Sequence, residues 1–251
     1  MTGAQAPGAV PGDQPRREVR IVVVLFALTV TAAAVDAVTF LGLGHAFAAL
    51  ATGNVLLLGF GVANAGTPVA RPAEALAAFA VGVAAAHTLV VRLHRRGRRW
   101  FTRALAVETA TLLAAGLVAV GTSGRQTPPE HVMALVVVLL AAAMGWRNRV
   151  MLQAGIPDMP TTVLQITLVK ALMDALSWRS AAPRGPVLPR VRRLATLCGV
   201  FVGAVAGALL LRLGPGPALL CVAGLSALVT AFYSRAPRLR PPVAAEAGSD
   251  R

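Results

Sequence analysis

The chain has 251 residues, of which 56% are hydrophobic and 14% charged, against about a quarter charged in soluble domains. That balance excludes an ordinary soluble core, because several apolar runs reach about 17 to 25 residues, the length a helix needs to cross roughly 30 Å of hydrocarbon. The formal charge of +14 is carried by arginines gathered between those runs, so it reports topology and attraction to anionic lipid headgroups, and no nucleic acid is expected as a partner.

In chain order, residues 1–19 form a tail rich in Pro, Gly, Ala and Gln that is expected to be disordered. The first apolar segment, 21–43, follows Arg16, Arg17 and Arg20. It is read as an uncleaved span, although Ala32 and Ala34 imitate a signal-peptide cleavage site. Segment 46–63 is interrupted by Thr52, Gly53 and Asn54, and segment 73–91 ends at a second basic cluster, Arg92, Arg95, Arg96, Arg98, Arg99 and Arg103. Segments 104–121 and 132–145 follow, then 159–176, which opens on Pro160, Thr161 and Thr162. A third cluster (Arg179, Arg184, Arg190, Arg192 and Arg193) precedes segments 194–213 and 218–233, and Arg235, Arg238 and Arg240 open a second disordered tail, 235–251.

The positive-inside rule places all four clusters in the cytoplasm, so an even number of crossings must separate each consecutive pair. Three apolar segments separate the first cluster from the second and three the second from the third, so one of each trio fails to cross. The interrupted segments 46–63 and 159–176 are the ones expected to be re-entrant or half-helices, and a flat interfacial helix stays open for the second. The expected fold is therefore an all-α polytopic bundle of about six crossings in a bacterial inner membrane, with both termini cytoplasmic and a single membrane domain over 20–234. Its halves, about 20–122 and 130–234, each contain three crossings. An odd number inverts the second half relative to the first, the inverted repeat of many secondary transporters. Local likeness agrees with that division. Asp36-Ala37, Gly44 and Thr52-Gly53-Asn54-Val55 can be laid over Asn148-Arg149, Gly155 and Thr161-Thr162-Val163-Leu164 with a gap of about three residues.

Val35-Asp36-Ala37-Val38-Thr39-Phe40-Leu41-Gly42, followed by Ala51-Thr52-Gly53-Asn54-Val55, resembles the YoaK family of bacterial polytopic membrane proteins of unknown function. Met144-Gly145-Trp146-Arg147-Asn148 and Pro157-Asp158-Met159-Pro160-Thr161-Thr162-Val163-Leu164 resemble that family's second block. The resemblance implies a multi-pass protein of about six spans and marks Asp36, Thr52, Gly53, Asn54, Asn148, Pro160, Thr161 and Thr162 as matching positions. It carries over no activity, substrate or cofactor. Arg149 departs from the small residue more usual there, which would narrow or recharge a cavity.

Asp36 lies about 15 residues beyond the basic flank, hence roughly 22 Å along a helix and within the hydrocarbon span. Two readings stay open for it: a proton or cation site, and a structural carboxylate bonded to the next half-helix. Thr52, Gly53 and Asn54 read as a helix start, with Thr52 capping free amides, and Pro160, Thr161 and Thr162 read similarly. Such a start points unpaired amides into the membrane, which suits an anion, whereas an ordinary capped turn at the interface is the plainer alternative. Lys170 and Asp174 are four apart and either pair on one helix face or meet a substrate. Ala195, Gly199, Gly203 and Gly207 recur every four residues as a packing face, within the bundle or in a homo-oligomer. Glu108 is expected to pair at the interface near Arg103, and Trp100, Trp146 and Trp178 to anchor at headgroup depth.

His45, His87, His94 and His131 have no ligand spacing, and Cys198 and Cys221 sit apart, so no metal site and no cofactor is expected. No catalytic motif is found. The function expected first is a small-molecule or ion permease, with proton coupling through Asp36, whose partners are the lipid bilayer and an unidentified small molecule. The alternative is a noncatalytic membrane scaffold or regulatory subunit.

Overall fold

The computed structural model describes residues 14–94, 100–122, 129–153, 163–176 and 187–235. Arg95, Arg96, Arg98, Arg99, Gly155, Pro160, Thr161, Thr162, Trp178, Arg179, Arg184, Arg238 and Arg240 lie outside the described residues. Eight α-helices appear among the described residues: α1 (Gln14–Gly42), α2 (Ala51–Val62), α3 (Ala70–His94), α4 (Trp100–Val120), α5 (Glu130–Gln153), α6 (Val163–Leu176), α7 (Val187–Leu210) and α8 (Pro215–Arg235).

Six of them, α1, α3, α4, α5, α7 and α8, carry apolar stretches of 20 to 24 residues, long enough to cross a bilayer. At 1.5 Å per residue the 12 residues of α2 reach only about 18 Å, too short to cross, and the described part of α6 has 14 residues. The chain is therefore a multi-pass helical membrane protein.

Local chemistry sets the boundaries. Beyond α1 the backbone turns through Gly44 (φ 107°) and His45 (φ 60°), and beyond α2 through Asn64 (φ 55°) and Gly66 (φ 77°), left-handed conformations that stop a helix. Pro72 and Pro215 sit in the first turns of α3 and α8, where their missing N–H has no intrahelical partner to lose. A single turn of 3-10 helix, Leu211–Leu213, and Gly214 reverse the chain between α7 and α8.

The most extensive helix contacts join α3 to α5, α1 to α7 and α4 to α8; next come α4 with α5 and α1 with α8, while α2 lies on α3 and α6 on α7. Small residues allow the closest approaches. A Cβ at Gly82 of α3 would stand 2.9 Å from the Cα of Ala142 on α5, and one at Gly145 of α5 would stand 3.1 Å from the Cα of Phe79 on α3. Gly199, Gly203 and Gly207 present α7 to α1, where a Cβ at Gly203 would stand 2.9 Å from the Cα of Val30. Ala195, one turn earlier, is partly buried. Two clusters of buried apolar side chains fill the bundle, one around Val38, Leu112, Leu140 and Leu219 and one around Leu28, Leu105, Trp146 and Tyr233.

Candidate functional site

Asp36 stands six residues before the end of α1, roughly 9 Å inside it. The chain folds back from Gly42 so that the amide of Ala49 donates to Asp36 Oδ1 at 2.6 Å, and the amides of Ala48 and Leu50 also turn toward the carboxylate. These amides belong to the turn just ahead of α2 and its N-cap Leu50, and a carboxylate from the preceding helix satisfies them. The capping expected of Thr52 is accordingly not found. Leu50 is the N-cap, without a side-chain cap bond, so Thr52 is already inside the first turn of α2 and exposed.

The next two residues hold Phe47. Asn54, 1% exposed, accepts from the Phe47 amide at 2.9 Å through Oδ1 and donates to the Phe47 carbonyl at 2.6 Å through Nδ2. Gly53 leaves room for the ring, since a Cβ there would stand 2.8 Å from Phe47 Cδ2. So seated, Phe47 stacks on Phe40 of α1 with ring centroids 4.6 Å apart and planes 10° from parallel. Asp36, Gly53 and Asn54 thus converge on one turn of chain.

That turn closes one end of a cavity of about 390 Å³ between α1, α5 and α7. Its walls extend from Leu28 to Leu41 on α1 and from Met144 to Met151 on α5, with Thr196 and Ala204 contributed by α7. The volume is in the range of small-molecule sites, and the lining is largely apolar with a few polar groups, as such sites require. Those groups are Asp36, Arg147, Asn148, Thr29 and Thr196. Each threonine hydroxyl is committed to a carbonyl of its own helix, Leu25 and Arg192 respectively. Among the described residues the Asn148 amide makes no hydrogen bond, so it is a free donor and acceptor on the wall.

Behind the cavity lies a buried polar network. Arg147 of α5 donates to Glu108 Oε1 of α4 from Nε at 2.9 Å and also from Nη2. From Nη1 it donates to the Leu28 carbonyl at 2.8 Å and to Thr31 Oγ1 at 2.9 Å, both on α1. Ser226 Oγ of α8 donates to the same Glu108 oxygen at 3.5 Å, and Thr109 Oγ1 lies 3.2 Å from the hydroxyls of Ser226 and Thr230. Glu108 Oε2 is buried without a partner.

This arrangement corrects the interfacial pairing expected of Glu108. The carboxylate is 1% exposed, roughly 12 Å along α4 from Trp100, and Arg103 points outward. Adjacency along one helix suggested Arg103; the fold supplies a guanidinium from a neighbouring helix instead. Two tryptophans also depart from the anchoring expected of them. Trp100 and Trp146 are buried, and Trp146 Nε1 donates to the Ala104 carbonyl at 2.9 Å, fixing α5 to α4. Arg149 neither narrows nor charges the cavity. It is absent from the lining and contacts His87 Nδ1 at 3.3 Å and Gln153 Oε1 at 2.9 Å, away from the bundle axis. Arg147, two residues earlier, takes the inward position.

In the second half, Thr161 and Thr162 lie outside the described residues, Lys170 is exposed on α6, and α6 includes Asp174 in its last turn, whose side chain is not described. The structure brings Asp36 and Asn148 to one cavity and puts Gly53 and Asn54 behind its aromatic end; Thr52 and Lys170 are not part of it. Sequence reasoning missed Glu108, Arg147, Thr31 and Ser226 as a set. The available signal was an acidic residue inside one apolar run, Glu108 in 104–121, and a basic residue just past the next, Arg147 after 132–145, each needing a counter-charge.

A family model described as "Protein of unknown function (DUF1275)" matches residues 24–232. The chain belongs to the DUF1275 family. The DUF1275 match begins at Val24 in α1 and ends at Phe232 in α8, so it includes all six crossings, the cavity and the Glu108–Arg147 network. The chain is also 32% identical over 154 residues to the UPF0700 transmembrane protein YoaK of Bacillus subtilis. That alignment covers 60% of this chain and 65% of the relative, so the chain spans about two thirds of the relative's length. No solved structure matches.

Proposed function

We propose that the protein is a small-molecule or ion permease of the bacterial inner membrane, with its substrate site in the cavity between α1, α5 and α7. The observation that carries this reading is the cavity itself: a hollow at membrane depth with Asp36 and Asn148, one from each half of the chain, on its wall. Polar side chains at such depth mark substrate or ion pathways when they face a hollow.

The pattern of helix contacts supports an inverted repeat. Exchanging α1–α4 with α5–α8 turns the α3–α5 contact into α7–α1, α4–α5 into α8–α1 and α2–α3 into α6–α7, and it leaves α4–α8 unchanged. With three crossings per half, the exchange is an inversion across the bilayer plane, the design in which binding sites form between repeats. The arginine clusters then fall on the cytoplasmic face with both termini, where they meet anionic headgroups.

One observation favours the alternative, a noncatalytic scaffold or regulatory subunit. The amides at the approach to α2, where an anion would be attracted, already face the Asp36 carboxylate, through the bond from Ala49. A thermal-shift screen of the purified protein against metabolites separates the two, because a ligand bound only by the folded state raises its melting temperature. The permease reading expects at least one metabolite whose shift disappears when Ala33→Phe fills the cavity. A screen without such a compound favours the scaffold.

A further inference from the structure

The charges around the cavity do not cancel. Arg147 is matched by Glu108 at direct hydrogen-bond distance. Asp36 has no such match: among the described residues no Lys, Arg or His side chain forms an ion pair with it. Arg71, whose side chain packs on Gly44 of the folded-back turn, is engaged by Glu74 at 2.8 Å and by the Glu130 carbonyl at 2.7 Å. Arg147 is anchored at Thr31, five residues below Asp36 and hence roughly 8 Å away along α1. Backbone amides satisfy Asp36 as a hydrogen-bond acceptor, and they bring no positive charge to match the carboxylate.

The surroundings of that charge are specific. Phe40 and Phe47, stacked on each other, line the cavity together with Asp36 and Leu41, and Met144 and Met151 line it from α5. Aromatic rings attract cations, and the attraction grows when water is excluded. A strongly hydrated inorganic ion would have to leave its water for a wall that is mostly hydrocarbon. An ammonium on an apolar body loses less and gains the burial of that body.

We infer that the cavity binds an apolar organic monocation, with its protonated amine beside Asp36 and its hydrocarbon body along the walls that Phe40, Phe47 and the methionines provide. This rests on the permease reading, since it names the class of molecule that site would carry. Asn148, with its free amide, is the group placed to discriminate among such amines by hydrogen bonding.

Three probes of one skeleton and three charges test it: phenethylamine, phenylacetate and phenylacetamide, titrated into the purified full-length protein by calorimetry. Phenethylamine is expected to bind and the other two to bind at least tenfold more weakly. Asp36→Asn keeps an oxygen for the Ala49 amide, so the turn should persist while the charge is lost, and phenethylamine affinity should fall at least tenfold at an unchanged melting temperature. Phe40→Leu preserves bulk without a ring face and should weaken phenethylamine several-fold more than it weakens phenylacetamide; equal weakening of the two would overturn the assignment, which keeps the test decisive should Asp36→Asn fail to fold. Equal phenethylamine affinity in the parent and in Asp36→Asn overturns the assignment, as does absence of phenethylamine binding. If phenylacetate or phenylacetamide binds instead, and Ala33→Phe abolishes that binding, the cation assignment falls and the permease reading stands. If no metabolite binds through the cavity, the permease reading falls as well.

Discussion

Replacing Glu108 with Leu would show how much the bundle interior depends on its matched charges. Glu108 and Arg147 are 1% and 7% exposed, and Glu108 Oε1 accepts both Nε and Nη2 of the guanidinium. The substitution strands those two N–H groups, and bonds to charged groups are worth about 1.5–3 kcal/mol each, which sums to about 3–6 kcal/mol. Loss of one partner of a buried pair generally costs about 3–5 kcal/mol. Arg147 keeps its Nη1 bonds to Leu28 and Thr31, so the lower end applies. The expected loss is about 3 kcal/mol, or about two powers of ten in the folded population. Glu108→Leu combined with Arg147→Met removes both charges and should return to within about 1 kcal/mol of the parent, because well-packed apolar residues replace buried pairs at little net cost. Reversible unfolding in mixed micelles, followed for the parent, both single variants and the double variant, measures the coupling directly. A double variant as unstable as the two single losses added together would refute this account, and so would parental stability in Glu108→Leu.

Three further outcomes are expected. Asn54→Ala removes both bonds to the Phe47 backbone and should cost about 1–3 kcal/mol, with faster amide exchange confined to residues 43–50; protection equal to the parent would show that Asn54 does not hold the turn. Gly203→Leu forces side-chain atoms into Val30 and Ala33 of α1 and should cost about 1–3 kcal/mol or more. A parental melting temperature and oligomer size would remove α7–α1 contact as the reason for glycine there. Arg95→Cys and Arg190→Cys should both react with a membrane-impermeant thiol reagent only after cells are opened; labelling of either one in intact cells would overturn the six-crossing orientation.

The bundle class was legible because it follows from coarse quantities: the length of apolar runs and the parity imposed by arginine clusters. Segment 46–63 could be recognised as non-crossing from that parity together with Thr52, Gly53 and Asn54, since polar backbone breaks are tolerated at depth only where protein shields them. The individual roles of those residues were not legible. Thr52 has the chemistry of a cap but sits two residues past the true N-cap, and the amides are taken by Asp36, whose partner Ala49 is 13 residues away. Glu108 and Arg147 are 39 residues apart on different helices. An apolar run carries weak information about which face of a helix turns inward, so the nearest arginine in sequence, Arg103, was the natural and mistaken partner. Trp146 illustrates the same gap, because an indole beside an arginine at a segment end reads as an anchor until the Ala104 carbonyl beneath it is seen.

The placement of opposite charges on successive crossings bears on how the chain enters its membrane. An arginine carried by a lone helix opposes partitioning into lipid by at least about 2.5–3.5 kcal/mol at the helix centre. Arg147 finds its counter-ion on α4, the crossing synthesised immediately before its own, and finds further acceptors on α1, synthesised earlier still. α4 and α5 therefore leave the insertion machinery most favourably as a hairpin whose charges are already joined, with α1 waiting beside them. The later crossing α8 then adds the Ser226 hydroxyl to that pair.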